Sequence, residues 1–352
     1  MQNLKNLTLP QLEDFVLSIG EQRFRAKQIF KWMYQKRLPD FSEMTNMPKT
    51  LRAALSEHAT IAKLTPVRTL ESSAGDAVKF AFALNDDPDT AGYAVESVLL
   101  IDGERRTACL SSQLGCGLGC AFCETAKLGF IRNLAPSEIL GQLIGMNDYQ
   151  AARGDRVVTN VVFMGMGEAL SNYESFMTAL SVIMHEEAFN LGARRITVST
   201  AGVVPSVERL MGEGLTIGLA ISLNAWNDVM RGELMPINKK YPIAALVDVA
   251  KRYYSRTGRR VTFEYVLIEG KTDTPEAAEA LSGLLGGFPC KVNLIPVNPV
   301  DPDMAAPDDG AVQRFADALY GRGLAATVRK SRGRDVFGAC GQLTAELIKS
   351  NY

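Results

Sequence analysis

Residues 111–130 read SSQLGCGLGCAFCETAKLGF, and three cysteines inside this run, Cys116, Cys120 and Cys123, stand in a C-x3-C-x2-C spacing. Three thiolates so close together, separated by glycines and small residues, can wrap one corner of an inorganic cluster. A closed 4Fe–4S site normally takes four cysteines. Three leave one iron open, and an open iron can be chelated by the amino and carboxylate groups of S-adenosylmethionine (SAM). An electron from the cluster can then break a C–S bond of SAM and release a carbon radical, chemistry that belongs to the cofactor and that the protein positions. The alternative is zinc or a buried thiol cluster. Zinc sites usually repeat a C-x2-C pair or complete one with histidines. No second pair follows here, and the two histidines, His58 and His185, are far away in sequence.

The same run continues into Phe130-Ile131-Arg132-Asn133-Leu134 and resembles the RlmN/Cfr family of radical-SAM RNA methyltransferases. The likeness covers nearly the whole chain: TLPQLEDFVLSIGEQRFRAKQIFKWMY near the start, then MGMGEALSNYE, STAGVVPSVERL, LMPINKKYPI, NLIPVNP and ACGQL. The N-terminal half and NLIPVNP resemble the branch that methylates C2 of an adenine. Ala169, LMPIN and the short C-terminal tail resemble the branch that methylates C8, which stays as the alternative.

Composition agrees with an enzyme of ordinary globular character. Apolar residues make up 47% and charged residues 22% of 352 residues, enough for a large core. No apolar run is long enough to span a membrane, and MQNLKNLTLPQ lacks the basic-then-apolar pattern of a signal peptide. The expected compartment is the cytoplasm, where cysteines signal metal binding or catalysis rather than a disulfide framework. The net charge of −1 does not announce a nucleic-acid binder. Cations are clustered all the same: Arg23, Arg25, Lys27, Lys31, Lys36 and Arg37 near Trp32 and Tyr34, and Arg329, Lys330, Arg332 and Arg334 just before Cys340. Such clusters contact phosphates or form a solvated face; the resemblance favours RNA.

Four parts are expected: residues 1–60, a helical RNA-docking unit; 61–104, a strand-rich lead-in; 105–323, a radical-SAM barrel; and 324–352, a final strand and tail. Thr8-Leu9-Pro10-Gln11 reads as a capping box. It opens a helix striped by Leu12, Phe15, Val16 and Ile19 and ended by Gly20. A second helix buries Ala26, Ile29, Phe30 and Met33, and a third uses Leu51 and Leu55. From residue 105 strands alternate with helices, at Thr107–Ser111, Val157–Met164, Arg195–Ser199, Thr216–Leu223, Val261–Ile268 and Val292–Val297. Repeated βα units imply a parallel sheet with right-handed crossovers, here an α/β fold: an incomplete (β/α)6 TIM-like barrel whose chemistry sits at the C-terminal ends of the strands.

The motifs follow strands. Gly167 and Glu168, Ser199, Ser222, Asn224 and Asn298 match SAM contacts of the family. Two departures stand out: Asn224 replaces the family's usual histidine and cannot take a proton near neutral pH, and Ala169 replaces its usual proline. Cys340, in GACGQL, matches the cysteine that becomes S-methylated, Cys109 its resolving partner and Glu96 a general base. Taken alone, Glu96 reads as a surface carboxylate on a strand, and Cys290 as an inert buried thiol.

The resemblance implies a route with two SAM molecules per turnover. One methylates Cys340. The other is cleaved at the cluster, and the radical takes a hydrogen from the Cys340 methyl group. The methylene adds to the adenine and makes a covalent enzyme–RNA adduct. Glu96 removes the ring hydrogen and Cys109 attacks the Cys340 sulfur, leaving a disulfide. The implied substrates are 23S rRNA and the tRNA adenine beside the anticodon, with a flavodoxin-type electron donor and a monomeric enzyme. A non-catalytic, metal-stapled RNA-binding protein is the reading from a different class.

Overall fold

In the computed structural model, which describes residues 1–61, 63–84, 90, 92–298, 300 and 303–347, the chain begins with a short strand, β1 (Gln2–Asn3), and three helices, α1 (Leu9–Ser18), α2 (Phe24–Tyr34) and α3 (Lys49–His58). The capping box is present: Gln11 Oε1 accepts the Thr8 N–H at 2.8 Å. Leu12 and Val16 of α1, Ala26, Ile29, Phe30 and Met33 of α2, and Leu51 and Leu55 of α3 are buried together. Strand β2 (Ala59–Thr60) returns to pair parallel with β1.

A meander follows: β3 (Pro66–Glu71), β4 (Ala77–Ala83) and β5 (Tyr93–Asp102), leading to β6 (Arg105–Cys109). It continues the main sheet. The order β3-β4-β5-β6 is antiparallel, and β6 then pairs parallel with the first strand of the alternating region. Every residue of β4 is buried. One face lies against the helix that carries Gly145 and Tyr149, and the other meets the C-terminal tail, where Gly333 comes up to Ala77.

A hairpin of β7 (Gln113–Gly115) and β8 (Phe130–Asn133) brackets the cysteine loop and its single-turn helix, α4 (Glu124–Lys127). Then come α5 (Pro136–Ala152), β9 (Asn160–Phe163), α6 (Tyr173–Met184), β10 (Ile196–Thr200), α7 (Val204–Gly212), β11 (Gly218–Ser222), α8 (Asp228–Leu234), α9 (Ile243–Thr257), β12 (Val261–Leu267), α10 (Pro275–Leu285), β13 (Cys290–Pro296), α11 (Asp309–Gly321) and β14 (Ala326–Val328). Strands β6-β9-β10-β11-β12-β13-β14 run parallel in that order: the incomplete α/β barrel, with one strand beyond six. β9 starts later than its sequence suggests, because the Val158 N–H is taken by the Asn147 side chain at 2.8 Å rather than by a neighbouring strand.

The tail closes the open side. Arg332 Nη1 donates to the Ile101 carbonyl at 2.9 Å, Thr344 N–H donates to Glu96 Oε2 at 2.9 Å, and the last strand, β15 (Glu346–Leu347), pairs antiparallel with β5 at Tyr93 and Ala94, above the point where β6 ends. The tail therefore climbs the free edge of β5 and presents Cys340 to the lumen. Residues 348–352, the end of the expected tail, and Pro299 of NLIPVNP lie outside the described residues.

Candidate active site

The cysteine loop is held by backbone bonds. Cys116 N–H donates to the Gly129 carbonyl at 2.8 Å and Ala121 N–H to the Leu234 carbonyl at 2.9 Å. Cys116, Cys120 and Cys123 line one cavity at the C-terminal ends of the parallel strands, and the same cavity is lined by Gly167, Glu168, Ser199, Ser222, Asn224, Asn298 and Cys340. Every SAM contact expected from the sequence thus faces one mouth.

Do these residues fit a cluster and SAM? The three donors are soft thiols, which suit iron and sulfide. Burial pushes the Cys116 thiol up to about 11 and those of Cys120 and Cys123 upward as well. Protons leave such thiols readily only when a metal cation offsets the cost. Among the described residues no three His, Cys, Asp or Glu side chains converge on a single ion. A cube ligated at three corners asks for sulfurs set around it rather than meeting at a point. His185 meets Phe30 edge to face, with ring centroids 5.1 Å apart, and His58 ends α3, so neither supplies the zinc alternative with a ligand at the loop.

Glu168 gives an independent indication of a cation. It is buried, accepts N–H bonds from Ala201 at 2.7 Å and Leu170 at 3.2 Å, and burial pushes its carboxyl up to about 7. A carboxylate held out of water beside a cavity favours a cationic ligand there, and an ammonium group meets that demand. Gly167 has φ +90°, and a Cβ there would run into the Gln113 backbone and side chain. Glycine is therefore required for the GMGE turn.

Several contacts escaped the sequence. Arg231, wholly buried, donates to the carbonyls of Leu223 at 3.0 Å, Ser222 at 3.1 Å and Ala201 at 2.8 Å, and to Asn238 Oδ1 at 2.9 Å. It ties together the loops after β10 and β11. Only its place just before LMPIN hinted at this. Glu264, buried on β12, accepts from Ser199 Oγ at 3.0 Å and faces Arg329 at 3.7 Å. A lone carboxylate inside the apolar run VTFEYVL was a legible signal. Asn224 sits at φ +58°, a left-handed conformation that asparagine tolerates well. Its Oδ1 accepts the Val266 N–H at 3.1 Å. Asn298 Nδ2 donates to the Cys340 carbonyl at 3.0 Å while its Oδ1 accepts from Arg334 at 2.9 Å, so it steadies the tail.

Glu96 is not at the surface, as its isolated reading suggested. It is wholly buried, 2.7 Å from Lys79 Nζ, and lies on the same face of β5 as Val98, which pairs with Cys109. It is absent from the cavity wall, because the tail at Thr344 covers it. Cys109 is buried and burial pushes its thiol up to about 12, with the proximity of the Cys340 sulfur the next cause. Arg329 is pushed further toward its protonated form first by the neighbouring Cys340 sulfur and then by Glu264. Gly341, at φ +83°, lets the tail approach the loop, since a Cβ would lie 2.8 Å from the Phe122 carbonyl oxygen. Glu124 N–H donates to the Gly341 carbonyl at 2.7 Å.

Residues 2–61 match the family described as ribosomal RNA large subunit methyltransferase N-terminal domain, and residues 110–281 the radical SAM superfamily. The chain is 45% identical, over 98% of its length and 93% of the relative, to the "Dual-specificity RNA methyltransferase RlmN" of Marinobacter nauticus. It is 43% identical to the protein of the same name from Geobacter sulfurreducens, over 99% and 93% of the two chains. The chain belongs to the RlmN family of radical-SAM RNA methyltransferases. A crystal structure of a radical SAM methyltransferase from Sphaerobacter thermophilus superposes with TM-score 0.91 at 44% identity, over 97% of this chain and 99% of that one. Membership in the RlmN family implies a 4Fe–4S cluster and SAM, which the loop and its cavity fit. No helix among the described residues is long and apolar enough to cross a membrane.

Proposed function

We propose that this protein methylates C2 of a specific adenine in 23S rRNA and of the adenine beside the anticodon in tRNA. It works as a cytoplasmic monomer, with a flavodoxin-type donor supplying electrons. The observation that carries the reading is the meeting of Cys340 and Cys109, far apart in sequence, at one lumen below the cysteine loop. The dual-specificity name of the relatives supports both RNAs.

Cys116, Cys120 and Cys123 would hold the cluster, and Gly167, Glu168, Ser199, Ser222, Asn224 and Asn298 would hold SAM at the open iron. Bound there, the pair supplies the one-electron chemistry that makes a carbon radical, and two SAM molecules are used per turnover. Cys340 Sγ accepts a methyl group by displacement, with the Arg329 cation facing the thiolate. Carbon 2 of adenine is electron-poor and resists such displacement, so the Cys340-borne carbon, activated as a radical, forms the bond to the ring and joins enzyme to RNA. Glu96, paired with Lys79 at 2.7 Å, takes up the ring proton once the tail at Thr344 has moved, and the unpaired electron left on the ring would return to the bound one-electron cofactor. Cys109 Sγ then bonds to Cys340 Sγ. The carbon–sulfur bond breaks, its electron pair stays on the carbon and is protonated, and methylated RNA leaves. The adenine must be unstacked to enter the mouth, at about a few kcal/mol.

The test has two arms. Nucleoside mass spectrometry of rRNA and tRNA, with and without the gene, distinguishes 2-methyladenosine from 8-methyladenosine and from no change. Cys109→Ala is expected to accumulate protein covalently joined to RNA, a nuclease-sensitive band of raised mass, and Cys340→Ala/Cys109→Ala to show none. Normal turnover by Cys109→Ala would overturn the assignment of Cys109.

A further inference from the structure

Below the mouth lies a second cavity, of about 550 Å³, walled by lumen-facing residues at the N-terminal halves of the strands, among them Thr107, Thr197, Thr262 and Asn293. Its inner end reaches both Cys109 and Cys340, whereas the upper mouth reaches Cys340 but not Cys109. Its outer rim carries the exposed residues Arg105, Lys291 and Lys330. None of the three has an ion-pair partner among the described residues. Five cations, Arg105, Lys291, Arg329, Lys330 and Arg332, face two carboxylates, Asp102 and Glu264, around this space. A cleft with one prevailing sign raises the local concentration of oppositely charged solutes.

Resting on the reading of Cys109 and Cys340 as the pair oxidised at each turnover, we propose that this lower cavity is the entry route for an anionic low-molecular-weight thiol that reduces the Cys109–Cys340 disulfide. The space is a lumen of about 550 Å³ among the strands, suited to a small molecule rather than to a protein. The thiolate attacks Cys109 Sγ, the sulfur that faces only this cavity. The Sγ–Sγ bond breaks and Cys340 leaves as a thiolate beside Arg329. A second thiol attacks the outer sulfur of the mixed disulfide, releasing Cys109. Two thiols give up two electrons and become an external disulfide, and their two protons end on Cys340 and Cys109. Attack in this direction suits the site: burial pushes the Cys109 thiol up to about 12, which makes it the poorer leaving group.

The test uses the full chain, oxidised so that the Cys109–Cys340 disulfide is identified by peptide mass, with release of the two thiols followed by alkylation. The probes are glutathione, which is anionic, and 2-mercaptoethanol, which is neutral. Replacing Arg105, Lys291 and Lys330 by glutamate is expected to slow glutathione by about tenfold or more and to leave 2-mercaptoethanol within about twofold. Saturating substrate RNA, which covers the upper mouth, is expected to leave reduction by glutathione unchanged. Equal rates with both thiols in wild type and variant, or protection by RNA, would place the route at the mouth and overturn the proposal. If no Cys109–Cys340 disulfide forms at all, the pairing itself is wrong and the proposal falls with it. The first two results leave the pairing standing and the third does not, so the two failures are distinguishable.

Discussion

On the outer face of α2, Lys27 and Lys31 meet Glu187 at 2.6 and 2.8 Å; under the C-terminal tail, Lys79 meets Glu96 at 2.7 Å. The distances are alike and the surroundings are not. About half of each α2 lysine side chain is exposed, whereas Lys79 and Glu96 keep 7% and 1% of theirs. Water screens the first set and is excluded from the second. Cations that look equivalent as strings of Arg and Lys therefore do different work. Those of α2 fasten one part of the surface to another and remain exchangeable. Those inside the barrel and under the tail are packed against carboxylates largely shut off from water.

The largest effect is expected at Arg329, the lumen cation beside Cys340. Arg329→Met should slow methylation of Cys340 by about a hundredfold, the scale of losing one preorganised electrostatic partner. Arg329→Lys should recover part of it. Peptide mass gives the methylated fraction, and visible absorbance checks that the cluster is retained. Full-rate methylation in Arg329→Met would show that the lumen charges are as well screened as those on α2.

Lys79→Met comes next. It takes the cation away from the buried Glu96 carboxylate, and breaking such a pair costs about 3–5 kcal/mol. Lys79→Met/Glu96→Gln should regain most of that, because no charge is then left without a partner. Urea denaturation of the single and double variants measures both. A single variant as stable as wild type would mean that water enters where the side chains are packed.

A smaller effect concerns pH. The Glu168 carboxyl, pushed up to about 7 by burial, is largely protonated in the free protein below that pH. A cationic ligand favours the ionised form, so binding must expel the proton. The affinity for SAM should then weaken by up to about tenfold per pH unit as the pH falls below 7. Calorimetric titration of the cluster-loaded protein across this range gives the slope. Glu168→Gln should bind more weakly and without the slope; a slope that persists belongs to another group.

These contrasts mark what a sequence can disclose. The cysteine loop was legible because its ligands are local: Cys116, Cys120 and Cys123 are close in the chain and need only a turn to face one cavity. The alternation of strands and helices was legible for the same reason. Glu96 was misjudged without the family resemblance, because its surroundings are non-local. Lys79 lies on the neighbouring strand, and Thr344 arrives with the tail from the far end of the chain. Arg231 was missed because its acceptors are mainly carbonyls, which leave no mark on composition. The cation runs were visible as charge, but their partners Glu187, Asp148, Glu264 and Asp102 are brought to them by the fold.

The smallest effect separates the two roles open to α2. Lys27 and Lys31 share Glu187, whose carboxyl they hold below its usual range, and Arg37 is joined to Asp148 at 2.6 Å. Arg23 reaches Glu13 at 3.5 Å, and Arg25 lies over the Phe24 ring at 4.7 Å. An RNA phosphate approaching Lys27 or Lys31 must compete with Glu187. Glu187→Gln removes that competitor without touching the cations. If these lysines bind phosphate, RNA should bind slightly tighter. The slope of log affinity against log salt should steepen by up to about one unit for each phosphate newly engaged. Replacing Arg23 and Arg25 should flatten the slope by a similar amount for each phosphate released. Filter binding at several salt concentrations reads both. An unchanged slope in Glu187→Gln would assign Lys27 and Lys31 to holding the helical unit against the loop after α6, and would leave phosphate binding to other cations.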